Sequence, residues 1–303
     1  MRNRPDPLLM AAAGGVFAVA TAAMLQGREP FATWYYSFAW WSYIVFADAW
    51  NHRRTGRSIL LRNPGATRML VLSIAIWSFF ETCNFRLGNW YYLEIPPDRA
   101  LRWLGYSVAY ATVLPGILVT ADLLRAWRLR HASAGRVPPH GLTVFLFWGG
   151  LVASILPWIW PRYLFPLVWL GPTAFFMAAN ERLGNKGILS ETSEHGLAPL
   201  LRLAAAGMIC GLLWECWNYW ARSKWVYEIP FFGGTPLFEM PIAGFLGFPP
   251  FAIACHEMYV AAEGLSIRLR AHPAGRFAAW LVLVIAIGLV YRGIDVFTVR
   301  SFQ

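Results

Sequence analysis

Charged residues are scarce in this sequence. Only 14% of its 303 residues are Asp, Glu, Lys or Arg, whereas a soluble domain carries about 25%. Hydrophobic residues make up 57%, and so little charge cannot cover the surface of a water-soluble protein of this size. The composition therefore excludes an ordinary soluble globule and predicts an integral membrane protein.

Acidic residues are scarcer than basic ones, with 16 Asp and Glu against 26 Lys and Arg and a net charge of +10. Such an excess is also typical of proteins that bind nucleic acid. Here the basic residues lie in short segments between apolar runs, a pattern that indicates membrane topology. We therefore expect no nucleic-acid partner.

The sequence also lacks metal and cofactor motifs. The four cysteines form no CxxC or Cys/His pattern, and we interpret them as small apolar core residues: Cys83, Cys210, Cys216 and Cys255. His256 lies beside Glu257 but has no second His four residues on, so it does not predict a metal site. No Walker, Rossmann or haem-attachment pattern occurs. The sequence predicts neither a metal nor a cofactor.

The sequence does contain many long apolar runs. A helix crosses a bilayer with about 20 mostly apolar residues, and about nine runs approach that length, which predicts an all-α bundle of about nine transmembrane helices. The first run could instead be a signal peptide, but its counterpart in the repeat described below favours a retained span. The predicted spans are 8–26, 32–50, 68–86, 102–124, 142–160, 163–179, 199–220, 240–262 and 276–293.

Basic residues are concentrated in alternate loops, which predicts the orientation of the bundle. By the positive-inside rule the basic loops are cytoplasmic, so the N-terminus lies inside and the C-terminus outside a bacterial-type inner membrane. The residues that carry this prediction are Arg53, Arg54, Arg57, Arg62, Arg125, Arg128, Arg130, Arg136, Arg268 and Arg270.

An internal repeat organises the chain. Glu81 precedes Pro96 by 15 residues, Glu215 precedes Pro230 by the same 15, and both prolines end a Glu-Ile-Pro triplet. An even number of spans in each copy makes the two copies parallel. The sequence therefore predicts a four-helix repeat at 1–130, a second at 141–265, and an added peripheral helix with the tail at 276–303.

Polar and small residues form stripes at helical spacing, so each stripe faces a neighbouring helix. We expect Pro249-Pro250 to kink the eighth span near mid-membrane. The stripe of the third span is Ser73, Trp77, Glu81, Asn84 and Gly88. The seventh has Gly207, Gly211, Glu215, Asn218 and Arg222, and the eighth has Glu239, Ala243, Gly247, Pro250, Ala254 and Glu257.

These stripes supply the candidate catalytic residues. A charge at the bilayer centre costs about 2.5–3.5 kcal/mol on the insertion scale, so a buried Glu there is neutral or paired. A neutral Glu in an aromatic pocket is a potential proton donor, although the same Glu and Asn residues could simply join helices. The candidates are Glu215, Asn218, Glu239, Glu81 and Asn84, with Trp214, Trp217, Trp225, Tyr227, Phe245 and Phe248 as substrate-binding residues.

The order of these motifs resembles the membrane-embedded lycopene cyclase domain of carotenoid biosynthesis. The resemblance implies carboxylates that start and end a carbocation cyclisation without redox change. The paired-acid element of that family is replaced here by the single acid of Phe238-Glu239-Met240-Pro241. The residues that carry the resemblance are Glu215, Asn218, Trp225, Tyr227, Glu239, Pro241, Phe245 and Phe248, with Glu81, Asn84, Gly88, Trp90 and Tyr92 in the first copy.

Three functions remain open at this point. The first is an enzyme that protonates an isoprenoid or similar membrane lipid and cyclises, isomerises or hydrates it. The second is a proton- or ion-coupled transporter or a lipid-binding protein, and the third is a structural membrane scaffold. The sequence also leaves open a homo-oligomer or a membrane-complex partner, and the roles of Asp48, Asp122 and Glu257.

Overall fold

The computed structural model describes residues 6–126, 139–231 and 235–301. Within these ranges the chain is mostly helical. Three of the basic residues that predict orientation, Arg128, Arg130 and Arg136, lie outside the described residues.

The first half of the chain contains five α-helices, one strand and a 3-10 helix at Leu124–Ala126 within the described residues. The α-helices and the strand are α1 (Asp6–Leu25), α2 (Phe31–Thr55), α3 (Ala66–Leu87), β1 (Trp90–Leu93), α4 (Arg99–Tyr110) and α5 (Val113–Leu123).

The second half adds seven α-helices, three short strands and two 3-10 helices, Ile242–Gly247 and Leu269–Ala271, within the described residues. The α-helices are α6 (His140–Ile159), α7 (Pro161–Leu164), α8 (Leu167–Arg182), α9 (Ile188–His195), α10 (Ala198–Trp220), α11 (Phe248–Arg268) and α12 (Pro273–Phe297). The strands are β2 (Lys224–Tyr227), β3 (Pro236–Leu237) and β4 (Met240–Pro241).

Six helical stretches of the described chain are long and apolar enough to cross a bilayer: Asp6–Leu25, Ala66–Leu87, Arg99–Leu123, His140–Ile159, Ala198–Trp220 and Pro273–Phe297. Their outer faces are apolar, as Phe145 on α6 and Phe277 on α12 show, each 70% exposed. A soluble protein does not present apolar faces of this length to water. The fold is therefore a helical bundle of a membrane protein.

Small residues let α11 pack closely on α10. A Cβ added to Gly211 would lie 2.3 Å from the Phe248 ring, and one added to Gly207 would lie 2.5 Å from the Phe248 carbonyl oxygen. Both distances are too short for real Cβ atoms. The two glycines of the predicted stripe therefore set the separation of these helices.

Predictions for the seventh and eighth spans were wrong in three respects: the proline kink, the place of Glu239 and the place of Arg222. Helix α11 begins at Phe248, with Pro249 and Pro250 in its first turn, where proline's missing N–H leaves no helical hydrogen bond unmade. The prolines start the helix and do not kink it. Glu239 lies before β4 and shares no helical stripe with Glu257, and Arg222 lies beyond the end of α10.

Strands β1 and β2 pair antiparallel at one end of the bundle, with Trp90 opposite Tyr227 and Leu93 opposite Lys224. The chain after α12 joins them, because the Tyr92 amide donates to the Thr298 carbonyl at 2.8 Å. Asp295 of α12 also binds the Arg102 guanidinium through two bonds of 2.7 and 2.9 Å. Although its outer face is exposed, α12 is fixed to the bundle by these two contacts, one with β1 and one with α4.

Two buried acids fasten loops at the opposite end. Asp48 accepts from the Ile59 amide at 2.8 Å and the Leu61 amide at 2.9 Å. Glu257 accepts from the Ile188 amide at 2.8 Å. Since these contacts satisfy backbone amides of the following loops, both acids hold loops in place. Asp122, whose role the sequence also left open, forms an ion pair with Arg125.

The close α10–α11 contact predicts how a methyl group added at Gly211 changes the stability of the protein. Gly211→Ala should destabilise the protein by about 1–3 kcal/mol, because the added methyl overpacks the Phe248 ring. Gly14→Ala is the matched control, since a Cβ there meets nothing within 4 Å. Thermal unfolding in detergent, followed by a thiol-reactive dye that reports exposure of the buried Cys83, Cys210 and Cys255, measures both variants. Equal melting temperatures for Gly211→Ala and the unaltered protein would contradict the contact.

Candidate functional site

Two glutamates are buried in the bundle near the end that carries the strands. Glu81 lies in the last two turns of α3 and Glu215 in the last two turns of α10. Both are 0% exposed. An isolated carboxylate is unstable in such surroundings, so each needs hydrogen-bond donors or a proton.

The asparagine one turn after each glutamate holds the following strand. Asn84 donates to the Trp90 carbonyl at 2.8 Å and accepts from the Asn89 amide at 2.8 Å. Asn218 donates to the Trp225 carbonyl at 2.8 Å and accepts from the Trp225 amide at 3.0 Å. These bonds turn the chain at the helix end, so that residues of β1 and β2 come back over the glutamates.

Three donors converge on one oxygen of Glu81. The Tyr92 hydroxyl donates to Oε1, as do the indole nitrogens of Trp77 at 2.8 Å and Trp90 at 3.1 Å. The Tyr92 hydroxyl also lies 3.0 Å from that of Tyr110. Glu81 is therefore held firmly on one side by three aromatic residues.

Glu215 has a simpler environment. The Tyr227 hydroxyl contacts its Oε1 at 2.8 Å. Among the described residues, Oε2 of Glu215 has no hydrogen-bond partner, and neither has Oε2 of Glu81. Burial raises the pKa of the Tyr92 and Tyr227 hydroxyls well above their usual range, so both phenols stay protonated. Each site thus pairs a buried carboxyl with a neutral phenol.

The two sites match along the sequence. Glu215 and Asn218 lie 134 positions after Glu81 and Asn84. A shift of 134 positions takes Trp90 to Lys224 and Leu93 to Tyr227. It therefore converts the strand pair Trp90–Tyr227 into the pair Leu93–Lys224, and both pairs occur in the observed register. The tyrosines differ slightly, because Tyr92 follows its glutamate by 11 positions and Tyr227 by 12.

A cavity lies in front of each tyrosine. The one beside Tyr227 has a volume of about 320 Å³ and the one beside Tyr92 about 90 Å³. Neither glutamate lines a cavity directly, whereas Trp77, Trp214 and Trp225 line both. These three indoles therefore form a shared wall, and each glutamate reaches its cavity through a phenol.

The structure assigns the predicted substrate-binding residues to two groups. Trp214, Trp225, Tyr227 and Phe248 line the larger cavity. Trp217 lines neither cavity and packs edge-on against Trp40 at 5.0 Å. Phe245 also lines neither and packs against Phe248 at 5.7 Å. Trp217 and Phe245 are therefore core residues of the bundle.

Glu239 does not lie free beside Glu215. Its Oε1 forms an ion pair with the Lys224 ammonium at 2.5 Å, so it fastens the β3–β4 turn to β2. The lining includes residues that were not predicted to bind substrate, among them Trp90, Trp169 and Phe251. Trp90 carried a signal in the motif before the first Glu-Ile-Pro triplet. Trp169 and Phe251 resemble other apolar helix residues and carried none.

Neither a metal site nor a similarity to a known protein adds to the description of these two glutamate sites. The described residues contain no group of three or more His, Cys, Asp or Glu side chains that could hold a metal ion. Comparison with known proteins gives no matching family model, curated protein or solved structure. The resemblance to the membrane-embedded lycopene cyclase domain therefore stays a prediction.

The unequal environments of the two glutamates generate a prediction. Each unpaired buried donor costs about 1–3 kcal/mol. Glu81→Leu strands the indoles of Trp77 and Trp90, while Tyr92 keeps Tyr110 as a partner, so it should destabilise the protein more than Glu215→Leu, which strands Tyr227 alone. We expect a difference of about 1–3 kcal/mol, the cost of one further unpaired donor. Thermal unfolding of both variants in the same detergent measures it. A larger loss for Glu215→Leu would mean that the hydrogen bonds around Glu81 are not as described.

Proposed function

We propose that this protein is a membrane enzyme that protonates an isoprenoid or a similar unsaturated lipid, with Glu215 as the acid. One observation carries the proposal. A fully buried carboxyl, with one oxygen on the Tyr227 hydroxyl and the other unpartnered among the described residues, lies behind an aromatic cavity of about 320 Å³. This arrangement favours a stored proton beside an apolar ligand.

The chemistry follows from the contacts. In the observed arrangement the Tyr227 hydroxyl donates to Glu215, so in the proposed reaction it first turns its proton towards the cavity and the protonated carboxyl donates to the phenol oxygen instead. Glu215 then gives its proton to the Tyr227 oxygen while the phenol gives its own proton to an alkene carbon, so that a carbocation forms and Glu215 becomes a carboxylate. Loss of a proton from a neighbouring carbon, through Tyr227 to Glu215, restores the acid and leaves a cyclised or isomerised alkene. No electron is transferred to or from the enzyme. The faces of Trp214, Trp225 and Phe251 can stabilise the cation meanwhile.

The other predicted catalytic residues have distinct roles in this proposal. Asn218 orients β2 and so positions Tyr227 on Glu215. Glu239 holds Lys224 and supports the cavity from outside. Glu81 and Asn84 form a second site of the same design, behind a cavity of only about 90 Å³. The small volume favours Glu215 as the acid that meets substrate.

The membrane arrangement belongs to the same proposal. We propose nine spans, with α4–α5 and α7–α8 each acting as one interrupted span and α2 and α11 also crossing. The matched Glu–Asn pairs and the symmetric strand register support two parallel four-helix repeats. The basic loops support an inner membrane with the N-terminus in the cytoplasm, which puts the two glutamates near the outer leaflet.

Deuterium incorporation tests the function. The protein in nanodiscs would be incubated in heavy water with lycopene, squalene and geranylgeraniol, and the lipids analysed by mass spectrometry together with those that co-purify. An acid that protonates carbon leaves deuterium on carbon. Glu215→Gln should lower incorporation by about 100-fold or more, because general acid catalysis contributes about 10²–10⁴, while the melting temperature changes little.

Two variants control this experiment. Glu257→Gln removes another buried acid, whose contacts are the Ile188 amide, the Asn180 side chain and the His256 ring, and should leave incorporation unchanged. Glu81→Gln separates the two sites, and a loss there with full incorporation in Glu215→Gln would move the reaction to the first half. Counterflow of a lipid or ion across proteoliposomes, with no deuterium in any lipid, would support the transporter in place of the enzyme.

A further inference from the structure

The larger cavity reaches the surface of the molecule. Four of its lining residues are exposed, and all four are apolar: Pro166, Leu170, Ala243 and Leu246. Pro166 directly precedes α8 and Leu170 lies in its first turn, while the other two belong to the 3-10 helix Ile242–Gly247. Leu170 is 51% exposed and Leu246 is 73% exposed. The opening therefore lies between α8 and this 3-10 helix, on the side of the bundle.

The two ends of the cavity differ in polarity. The opening carries only apolar side chains, and lipid tails, unlike water, suit such a rim. The inner end carries the Tyr227 hydroxyl, which contacts Glu215. Asn89 is also part of the lining, and its Oδ1 is buried without a partner among the described residues. A ligand that fits both ends is a hydrocarbon chain with its reacting end innermost.

The 3-10 helix is suited to border such an opening. Its six residues exceed the usual length of three or four for this kind of helix, and it precedes α11 directly. A Cβ added to Gly247 would lie 3.3 Å from the Trp169 indole, so the segment lies close against the cavity wall. Leu246 projects on the exposed side, where it meets whatever enters.

We propose that an isoprenoid chain dissolved in the bilayer enters this cavity sideways, between Leu170 and Leu246, and stops with its unsaturated end at Tyr227. This inference rests on the proposed function for the identity of the reacting end. The entrance itself depends only on the exposed apolar rim and the cavity behind it. The substrate class is thus a chain that stays in the membrane throughout and is never released to water.

Photolabelling tests the entrance without requiring turnover. Nanodiscs holding the full chain would be irradiated with a diazirine-bearing farnesol, and the labelled peptides mapped by mass spectrometry. Label should appear in segments 165–172 and 240–251. The double variant Leu170→Trp/Leu246→Trp fills the rim and should lower that labelling by about tenfold, because inserting bulk into a confined passage is unfavourable.

The matched control places the same two indoles elsewhere on the lipid-facing surface. Leu201 and Leu212 of α10 are 50% and 42% exposed and line neither cavity, so Leu201→Trp/Leu212→Trp should label like the unaltered protein. Undiminished labelling in the rim variant, equal losses in both double variants, or absence of label from both cavity segments would each overturn the entrance. Thermal unfolding checks that both variants are folded.

Glu215→Gln distinguishes the entrance from the reaction. This variant should keep the full labelling pattern and lose deuterium incorporation. If it keeps both, the assignment of the acid fails while the entrance stands. If the rim variant loses neither labelling nor incorporation while Glu215→Gln loses incorporation, the entrance fails while the proposed reaction stands.

Discussion

The structure depends on how two carboxyls obtain hydrogen bonds inside an apolar bundle. The helices that carry Glu81 and Glu215 use their own backbone donors internally, so they have none left for these side chains. The paired strands supply the missing donors as tyrosine hydroxyls, Tyr92 to Glu81 and Tyr227 to Glu215. Asn84 and Asn218 turn the chain so that the strands lie over the helices. Removing the strand pair would leave Glu215 without its donor and Glu81 with only the Trp77 indole of its own helix.

Close packing of α10 on α11 places the aromatic wall relative to these carboxyls. Because Gly207 and Gly211 carry no side chain, the Phe248 turn lies directly against α10. Trp214, one turn further on, then meets Trp77 of α3 at 5.2 Å and Phe251 of α11 at 5.8 Å. Helices α3 and α10, one from each half, therefore contribute to the shared wall together with Trp225 of β2, and Phe251 of α11 extends it on the side of the larger cavity. The two glycines therefore influence the site indirectly, because they set the separation of α10 and α11.

Local patterns in the sequence predicted the helices, the buried Glu–Asn pairs and the close glycines, because run length and periodicity determine these features. The start of α11 was also readable, since paired prolines are compatible with the first turn of a helix and costly inside it. The hydrogen-bond partners of Asp48 and Glu257 could not be predicted from the sequence. The Ile59 amide is bound by an acid of α2 and the Ile188 amide by an acid of α11, so the two halves satisfy similar loop amides from different helices. The prediction of which aromatic residues line the cavity was incomplete for a similar reason. Trp217 and Trp214 lie three residues apart on one helix, and only the tertiary packing decides that Trp214 lines the cavity and Trp217 meets Trp40.

The differences between the halves bear on which carboxyl does chemistry. An acid that protonates an alkene must first hold a proton, and each N–H or O–H donor on a carboxylate favours the ionised form. Three donors converge on Glu81 and one on Glu215. The phenol on Glu215 meets the larger cavity, whose exposed rim is apolar, whereas the phenol on Glu81 is also engaged by Tyr110. In the proposed reaction, the same arrangement of Glu, Asn and Tyr therefore serves stability in the first half and supplies the proton in the second.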